Sequence, residues 1–155
     1  MYSKEEAAKL RQEFWVSFGK SFPHKWSLYR TGVRPIQFRF YFDNKKAMIC
    51  IDIEGDSEER EKYFNKFVSL KSILTDFLPE NSFEQHYFLE NGKEIARIWV
   101  EKQQVCIYNK DTWQQVMEFL STNMHQVEAF WQEYEDFFKS RKIITFAQIY
   151  MGCYL

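Results

Sequence analysis

The stretch WQQVMEFLSTNMHQVEAFWQEYEDFF, residues Trp113–Phe138, decides the architecture that this sequence predicts. Its apolar residues recur at alternating spacings of four and three, and no Gly or Pro interrupts them. This spacing is typical of one side of a single helix, which would be about 40 Å long at 1.5 Å per residue. We expect the remaining elements to be organised against this helix. Its apolar stripe consists of Trp113, Met117, Leu120, Met124, Val127, Trp131, Tyr134 and Phe138.

Residues 36–54 follow a different period, in which apolar and polar side chains alternate. Alternation of this kind is typical of a β-strand with one buried face. The polar turn Asn44-Lys45 joins two such runs, so we predict a hairpin whose large apolar residues all share one face. The predicted pairs are Phe42 with Ala47, Phe40 with Ile49, Phe38 with Ile51 and Ile36 with Ile53.

A second hairpin is predicted around Asn91-Gly92, a pair that favours a type I′ turn because both residues tolerate positive φ. Closure at this turn places Phe83, Gln85, Tyr87 and Leu89 beside Glu94, Ala96, Ile98 and Val100. On the opposite face it places Glu84, His86 and Phe88 beside Ile95, Arg97 and Trp99. The segment 105–108 is predicted to add one more strand.

The first helix is predicted from a capping box, in which Ser3 is followed three residues later by Glu6. We expect this helix to run from Lys4 to Phe18 and to end at Gly19. The following segment, residues 21–31, fits a short strand only loosely.

A second helix is expected to begin at Asp56 or Ser57 and to continue to Phe77, because Pro79 follows. The long helix is predicted to be capped by Asp111, with Gln114 three residues later.

The order of these elements, α-β-β-(β)-α-β-β-β-α, predicts an α+β fold. Short hairpin connections require an antiparallel sheet, which two hairpins build and helices cover, with the long helix at the C-terminal end. We expect one domain over residues 1–142. The uncharged, mostly apolar segment 143–155 is expected to be a packed structural tail, with an extra strand, a groove cover or a docking segment for another subunit as the alternatives.

Composition indicates a folded, soluble protein. Aromatic residues make up 19% of the chain, against five Gly and three Pro. Cys50, Cys106 and Cys153 are odd in number and far apart, which favours neither a disulfide framework nor a zinc site and indicates a reducing cytoplasm. We find neither a signal-peptide pattern nor an apolar run of about 18 residues that would cross a membrane.

Charge is distributed unevenly along the chain. The net charge is −1, yet residues 20–46 carry seven basic residues and one acid, a local charge of +6. Aromatic residues lie among these cations. Single-stranded nucleic acid is bound by such a combination, because cations contact phosphates and flat rings stack on bases. The residues predicted to bind it are Lys25, Trp26, Tyr29, Arg30, Arg34 and Arg39.

Asp52 and Glu54 are the candidate catalytic residues. They share one face at the end of a predicted strand, an arrangement in which carboxylates often bind Mg²⁺. A nuclease site of the restriction-enzyme type would add a Glu-x-Lys on a neighbouring strand, but Asp43-Asn44-Lys45 lies in the predicted turn and Glu101-Lys102 lacks the intervening residue. The alternative is that these carboxylates are solvated and balance Arg39 across the hairpin.

A second candidate is a ligand cluster on the polar face of the second hairpin, which comprises Glu84, His86, Arg97 and Trp99. Polar decoration of an open sheet face is the alternative interpretation. The three histidines are dispersed and show neither HxxxH nor HxH spacing, so we predict no histidine catalyst and no metal site.

Three segments resemble an uncharacterised bacterial domain family over roughly residues 2–140. They are residues 2–15 (YSKEEAAKLRQEFW), residues 40–54 from Phe40-Tyr41-Phe42 to Asp52-Ile53-Glu54, and Asn109-Lys110 with Thr112-Trp113. Members of that family occur alone or appended to nuclease-like domains, so the resemblance implies an association with nucleic-acid processing. It implies no catalytic residues, and the tail after Lys139 departs from the family pattern.

Three functions are therefore open. The first is a nucleic-acid-associated accessory or binding module that uses the basic, aromatic segment. The second is a metal-dependent, nuclease-like fold with a degenerate site at Asp52 and Glu54, which would require Mg²⁺. The third is a protein-interaction domain that forms a homodimer through the long helix or the apolar tail, since dimers are the commonest oligomers.

Overall fold

The structure, a computed structural model, describes residues 2–140 and confirms the predicted α+β fold. The predicted tail at residues 143–155 lies outside the described residues. No helix among the described residues is both long enough and apolar enough to cross a membrane. The helices are α1 (Lys4–Ser21), α2 (Ser57–Ser69), α3 (Lys71–Phe77) and α4 (Trp113–Lys139), and the strands are β1 (Ile36–Phe42), β2 (Lys46–Ile53), β3 (Ser82–Phe88) and β4 (Glu94–Gln103).

The four strands form one antiparallel sheet in the order β1-β2-β4-β3. The first hairpin has the predicted register, from Phe42 opposite Ala47 to Ile36 opposite Ile53. Its large apolar residues therefore share the face that the helices cover.

The second hairpin does not have the predicted register. Its turn has three residues, because the Leu89 N–H donates to the carbonyl of Lys93 at 2.9 Å and Gly92 adopts φ 86°. A bulge between Glu84 and Tyr87 then shifts the strands by one more residue. Such a three-residue loop with a left-handed Gly is the next commonest hairpin after the two-residue type that the Asn-Gly pair predicts.

Helix α4 lies across the apolar face of the sheet and confirms the predicted stripe. The ring of Trp131 lies 5.3 Å from that of Phe38 on β1, and Phe138 lies 4.4 Å from Phe67 on α2. At the other end, Trp113 lies 5.3 Å from Phe14 on α1. Three elements, α1, β1 and α2, are thus anchored to this helix through aromatic contacts, which add specific geometry to their large buried area.

Helix α1 begins at the predicted capping box but continues past Gly19 to Ser21. Phe18 is buried and contacts Phe22 and Phe40, with ring centroids 5.8 and 5.3 Å away. These contacts outweigh the cost of about 1 kcal/mol that a Gly imposes within a helix.

The predicted second helix is divided into α2 and α3. The hydroxyl of Ser69 donates to the carbonyl of Lys66 at 2.7 Å, and the Leu70 N–H bonds to Phe67 rather than continuing the regular ladder. A Ser side chain that competes for a helix carbonyl in this way ends or bends a helix.

Neither additional strand is present. Residues 21–31 contain a short 3-10 turn at Ser27–Tyr29 instead. At residues 105–108 the chain turns away from β4 because Gln104 adopts φ 63°, and the Ile107 N–H donates to the carbonyl of Asp43. The predicted Asp111 cap of α4 is also wrong, since Asn109 caps a 3-10 turn, Lys110–Thr112, that leads into the helix.

The turn of the first hairpin is held by the carboxylate of Asp43. This group accepts hydrogen bonds from the Tyr41 hydroxyl at 2.7 Å and from the N–H groups of Lys45 and Lys46 at 2.8 and 2.9 Å. Burial would raise the pKa of Asp43, but these hydrogen bonds outweigh burial and lower it. A lowered pKa means that the ionised carboxylate stabilises the folded state above the ordinary pKa of Asp, and that this contribution is lost as pH falls through the folded pKa.

We expect Asp43→Asn to reduce the free energy of unfolding by about 1–2 kcal/mol at neutral pH, because the charged acceptor is lost. The difference from the wild type should shrink as the pH falls below about 4. Urea unfolding at several pH values measures this. Asp76→Asn, an exposed Asp on α3, serves as the control. A pH-independent difference for Asp43→Asn would contradict the assignment.

Candidate functional site

The segment between α1 and β1 forms a surface groove of about 620 Å³ with the start of β1. We call this feature the arginine groove, and its polar lining consists of Tyr29, Arg30, Arg34, Gln37 and Arg39. It brings four of the six residues predicted to bind nucleic acid to one place. Trp26 lies beside the groove rather than in it, and Lys25 is exposed but does not line it.

A tight turn around Thr31 determines which side chains face the groove. The buried Thr31 hydroxyl accepts a hydrogen bond from the Val33 N–H and lies 2.8 Å from the Val33 carbonyl and 3.2 Å from that of Ile36. Gly32 adopts φ 77°, and a Cβ there would lie 2.9 Å from Cε of Lys139. The turn therefore needs Gly, both for its backbone conformation and for close approach to the end of α4.

The turn separates apolar from charged side chains. Leu28 and Val33 enter the core, while Tyr29, Arg30 and Arg34 remain exposed. Tyr29 is 86% exposed, an unusual position for an aromatic ring with no structural role. The same local geometry thus anchors the segment and presents its aromatic and cationic groups.

The charges of the groove are of one sign. Among the described residues that line it, none is acidic. Within residues 2–140, neither Arg30 nor Arg34 forms an ion pair, so both guanidinium groups are open to an external anion. Arg39 differs, because it lies 3.2 Å from Asp52 and 3.3 Å from Glu54, although its side chain stays 48% exposed.

An apolar pocket of about 160 Å³ adjoins the arginine groove and shares Leu28, Tyr29 and Phe38 with it. Trp26, Phe40 and Met124 complete its lining. An apolar pocket with flat aromatic walls can accept a ring of a ligand, while the neighbouring cations can bind a negative charge on the same ligand.

Asp52 and Glu54 are paired with cations on the face of the sheet that the helices do not cover. Asp52 is 2% exposed and receives two hydrogen bonds from Arg97, at 2.7 and 3.0 Å. Arg39 bonds both carboxylates, and Lys93 contacts Glu54 at 3.3 Å. Both oxygens of Asp52 and one oxygen of Glu54 are thus already engaged by cations. The alternative prediction, that Asp52 and Glu54 balance Arg39 across the hairpin, is confirmed by these contacts, although Asp52 is buried rather than solvated.

The four residues of the predicted ligand cluster face different partners. His86 lies 2.6 Å from Glu94, which also contacts Arg60 on α2 at 3.4 Å. Arg97 is buried under the ring of Tyr87, 4.5 Å away, and pairs with Asp52. Trp99 donates to Glu101, and Glu84 lies opposite Arg97 because of the bulge in β3. The changed register therefore separates His86 from Arg97.

A second depression, of about 430 Å³, lies on the same polar face. Its charged lining is mixed, with Asp43 and Glu90 as well as Lys46 and Arg97. Opposite charges in the lining give this depression no preference for either sign of ligand. The charged side chains that line the arginine groove, in contrast, are all cationic.

Sequence reasoning missed a cluster formed by two of the three histidines. His24, in the segment after α1, and His125 on α4 lie together, with ring centroids 4.4 Å apart, and Glu128 lies 2.9 Å from His24. Burial would raise the pKa of Glu128, but hydrogen bonds from Ser27 and His24 outweigh it and lower the pKa. The available signal was His125-x-x-Glu128, since residues three apart share one face of a helix.

Comparison with protein families identifies the class of this chain. A family model described as Domain of unknown function (DUF4268) matches residues 10–135. The chain therefore belongs to this uncharacterised family. A search of curated proteins found no significant match, and a search of solved structures found none either.

The Asp52–Arg97 pair leads to a prediction about stability. Asp52→Asn should lower the free energy of unfolding by about 3–5 kcal/mol, because Arg97 would remain buried without a charged partner. The double variant Asp52→Leu/Arg97→Met should recover most of that loss, since an apolar pair removes both charges. Chemical denaturation measures both effects.

Glu54→Gln provides the matched control, because it neutralises a carboxylate whose side chain is 21% exposed. We expect it to cost no more than about 1 kcal/mol. Unchanged stability in Asp52→Asn would mean that the pair is not required by the fold.

Proposed function

We propose that this member of the DUF4268 family binds single-stranded nucleic acid in the arginine groove. The observation that carries the proposal is that Tyr29 and three arginines line one depression with no acid among its described lining residues. The proposed module belongs with nucleic-acid processing, in agreement with the resemblance to bacterial domains that occur alone or beside nuclease-like domains.

Arg30 and Arg34 would contact phosphates. Both are exposed and lack an ion pair within the described chain, so binding costs no existing interaction. Each phosphate that a cation neutralises releases condensed counterions, which makes the affinity fall as salt increases. Arg39 would contribute less, because Asp52 and Glu54 already neutralise part of its charge.

Tyr29 would stack on a base. Its ring is almost fully exposed, and the adjoining apolar pocket offers Trp26 and Phe40 as further flat surfaces. Bases in a duplex are stacked on each other and do not reach such a pocket, whereas those of a single strand do. The combination therefore favours single strands over duplexes.

The nuclease alternative receives no comparable support. A catalytic metal needs free carboxylate oxygens, but both oxygens of Asp52 are bonded to Arg97 and one oxygen of Glu54 contacts Arg39 and Lys93. The homodimer alternative stays a prediction. We also propose that the protein is cytoplasmic, because an intracellular nucleic acid is bound in that compartment.

We expect the double variant Arg30→Glu/Arg34→Glu to weaken binding of a single-stranded oligonucleotide roughly tenfold or more at about 0.1 M salt. The slope of log affinity against log salt should also fall by about 0.7 for each phosphate that the variant no longer neutralises. Fluorescence anisotropy with a labelled oligothymidine and a labelled oligouridine measures both quantities.

The control is Lys9→Glu, which reverses a charge on α1 that lies outside the groove. It should leave the affinity and the salt slope nearly unchanged. Arg39 is unsuitable for this test because its loss would also disturb Asp52. Equal affinities for the double variant and the Lys9 control would refute the proposal.

Tyr29→Ala distinguishes base stacking from general attraction to a polyanion. We expect it to cost about 1–3 kcal/mol of binding free energy for a single strand, while Tyr29→Phe should retain the affinity. Binding to a duplex of equal length should change little in either variant. If Tyr29→Ala weakens both substrates equally or neither of them, the stacking role is wrong.

A further inference from the structure

The cluster of His24, His125 and Glu128 has the composition of a metal site. One ligand atom from each residue, a ring nitrogen or a carboxylate oxygen, can be chosen so that all three lie within 4.8 Å of one another. His24 comes from the segment after α1, whereas the other two residues project from adjacent turns of α4. Among the described residues, this is the one group of three or more His, Cys, Asp and Glu side chains close enough to share an ion.

The carboxylate of the cluster is held in position by groups that are not ligands themselves. Oε2 of Glu128 accepts hydrogen bonds from the N–H and the hydroxyl of Ser27, at 2.8 and 3.0 Å. Gln132 in turn donates to that hydroxyl at 3.1 Å. Oε1 of Glu128 is thereby directed towards Nε2 of His24. Fixing one carboxylate oxygen while the other is presented is how outer-shell hydrogen bonds prepare a metal ligand.

The imidazole rings are also restrained. The ring of Trp26 lies 4.2 Å from that of His24 and 4.6 Å from that of His125. Their contact with this half-buried indole limits the rotation of both rings. Nε2 of His24 and Oε1 of Glu128 are therefore adjacent before any ion arrives, with the ring of His125 beside them, which reduces the entropic cost of binding.

We propose that His24, His125 and Glu128 bind one Zn²⁺ ion, with water at the fourth position. Two imidazoles and a carboxylate are a donor set of open zinc sites, whereas Mg²⁺ prefers oxygen ligands alone. Zn²⁺ would replace the proton shared by His24 and Glu128. Tetrahedral bonds of about 2.0–2.1 Å separate two ligand atoms by about 3.3 Å, which is close to the 2.9 Å between Nε2 and Oε1.

The open position faces solvent, because His125 is exposed and the side chain of His24 is 32% exposed. This site does not depend on nucleic-acid binding in the arginine groove. The competing explanation is a hydrogen-bonded clamp that ties the segment after α1 to α4 and takes up no ion. The two explanations differ in whether Zn²⁺ binds.

Titration of the full chain with Zn²⁺ after removal of metals by a chelator tests the proposal. We expect one equivalent to bind, accompanied by a rise in the melting temperature. His125→Ala and Glu128→Gln should each weaken binding by roughly 100-fold or more, and Ser27→Ala by on the order of tenfold, as outer-shell changes do. Co²⁺ used as a spectroscopic probe should give the visible absorption of a four-coordinate site in the wild type but not in His125→Ala or Glu128→Gln.

His86→Ala is the matched control, because His86 is exposed, contacts Glu94 and does not belong to the cluster. It should bind Zn²⁺ like the wild type. Glu128→Gln retains an oxygen that can accept the hydrogen bonds from Ser27, so we expect this variant to fold. Loss of Zn²⁺ binding in a folded Glu128→Gln protein would then reflect loss of a ligand and not unfolding. Absence of binding in the wild type, or equal binding in His125→Ala and the wild type, would overturn the zinc site and leave the clamp.

Discussion

The contact between the apolar stripe of α4 and the apolar face of the sheet is the constraint on which the rest of the structure depends. Trp113 of the helix contacts Phe14 of α1, Trp131 contacts Phe38 of β1, and Phe138 contacts Phe67 of α2. The chain between α1 and β1 lies along this helix, with His24 beside Glu128 and Gly32 beside Lys139. The groove and the histidine cluster are both formed by this segment.

The two faces of the sheet are stabilised by different physical means. The helices cover one face with hydrocarbon, whereas the other face buries charge through ion pairs and aromatic rings. Cys50 lies in this second layer, where burial raises the pKa of its thiol to about 12. A thiol of that kind is inert, since the reactive form is the thiolate. The polar face thus contains groups that resemble a reactive site in sequence but are satisfied by their neighbours in space.

The sequence was sufficient to predict elements whose geometry depends on local pattern. The register of the first hairpin follows from period two and a two-residue turn, because a slip would expose Phe38 and Ile51. The second hairpin was mispredicted because a left-handed Gly92 and a bulge after Glu84 each change the pairing without changing the alternation. The end of α1 was also missed, because aromatic contacts made by Phe18 with Phe22 and Phe40 override the effect of Gly19.

The candidate sites also differ in how much of their geometry depends on local sequence. The arginine groove was partly predictable, because its residues lie within twelve positions and one turn gathers them. Lys25 and Trp26 belong to the same segment in sequence but lie outside the groove, and Trp26 packs against His24 and Phe40 instead. The cluster of His24 with Glu128 joins residues 104 positions apart, so only the tertiary contact brings them together. The burial and pairing of Asp52 depend on Arg97, which lies opposite it because β2 pairs with β4.

The bulge in β3 has a consequence beyond the register of its own hairpin. Strand β3 forms one border of the sheet, and a regular border strand offers a row of unpaired N–H and C=O groups that can template intermolecular β-structure. The bulge interrupts that row between Glu84 and Tyr87, and the side chains of Glu84 and His86 are exposed beside it. A chain rich in aromatic residues is thereby protected from extending its sheet into a neighbouring molecule at this border.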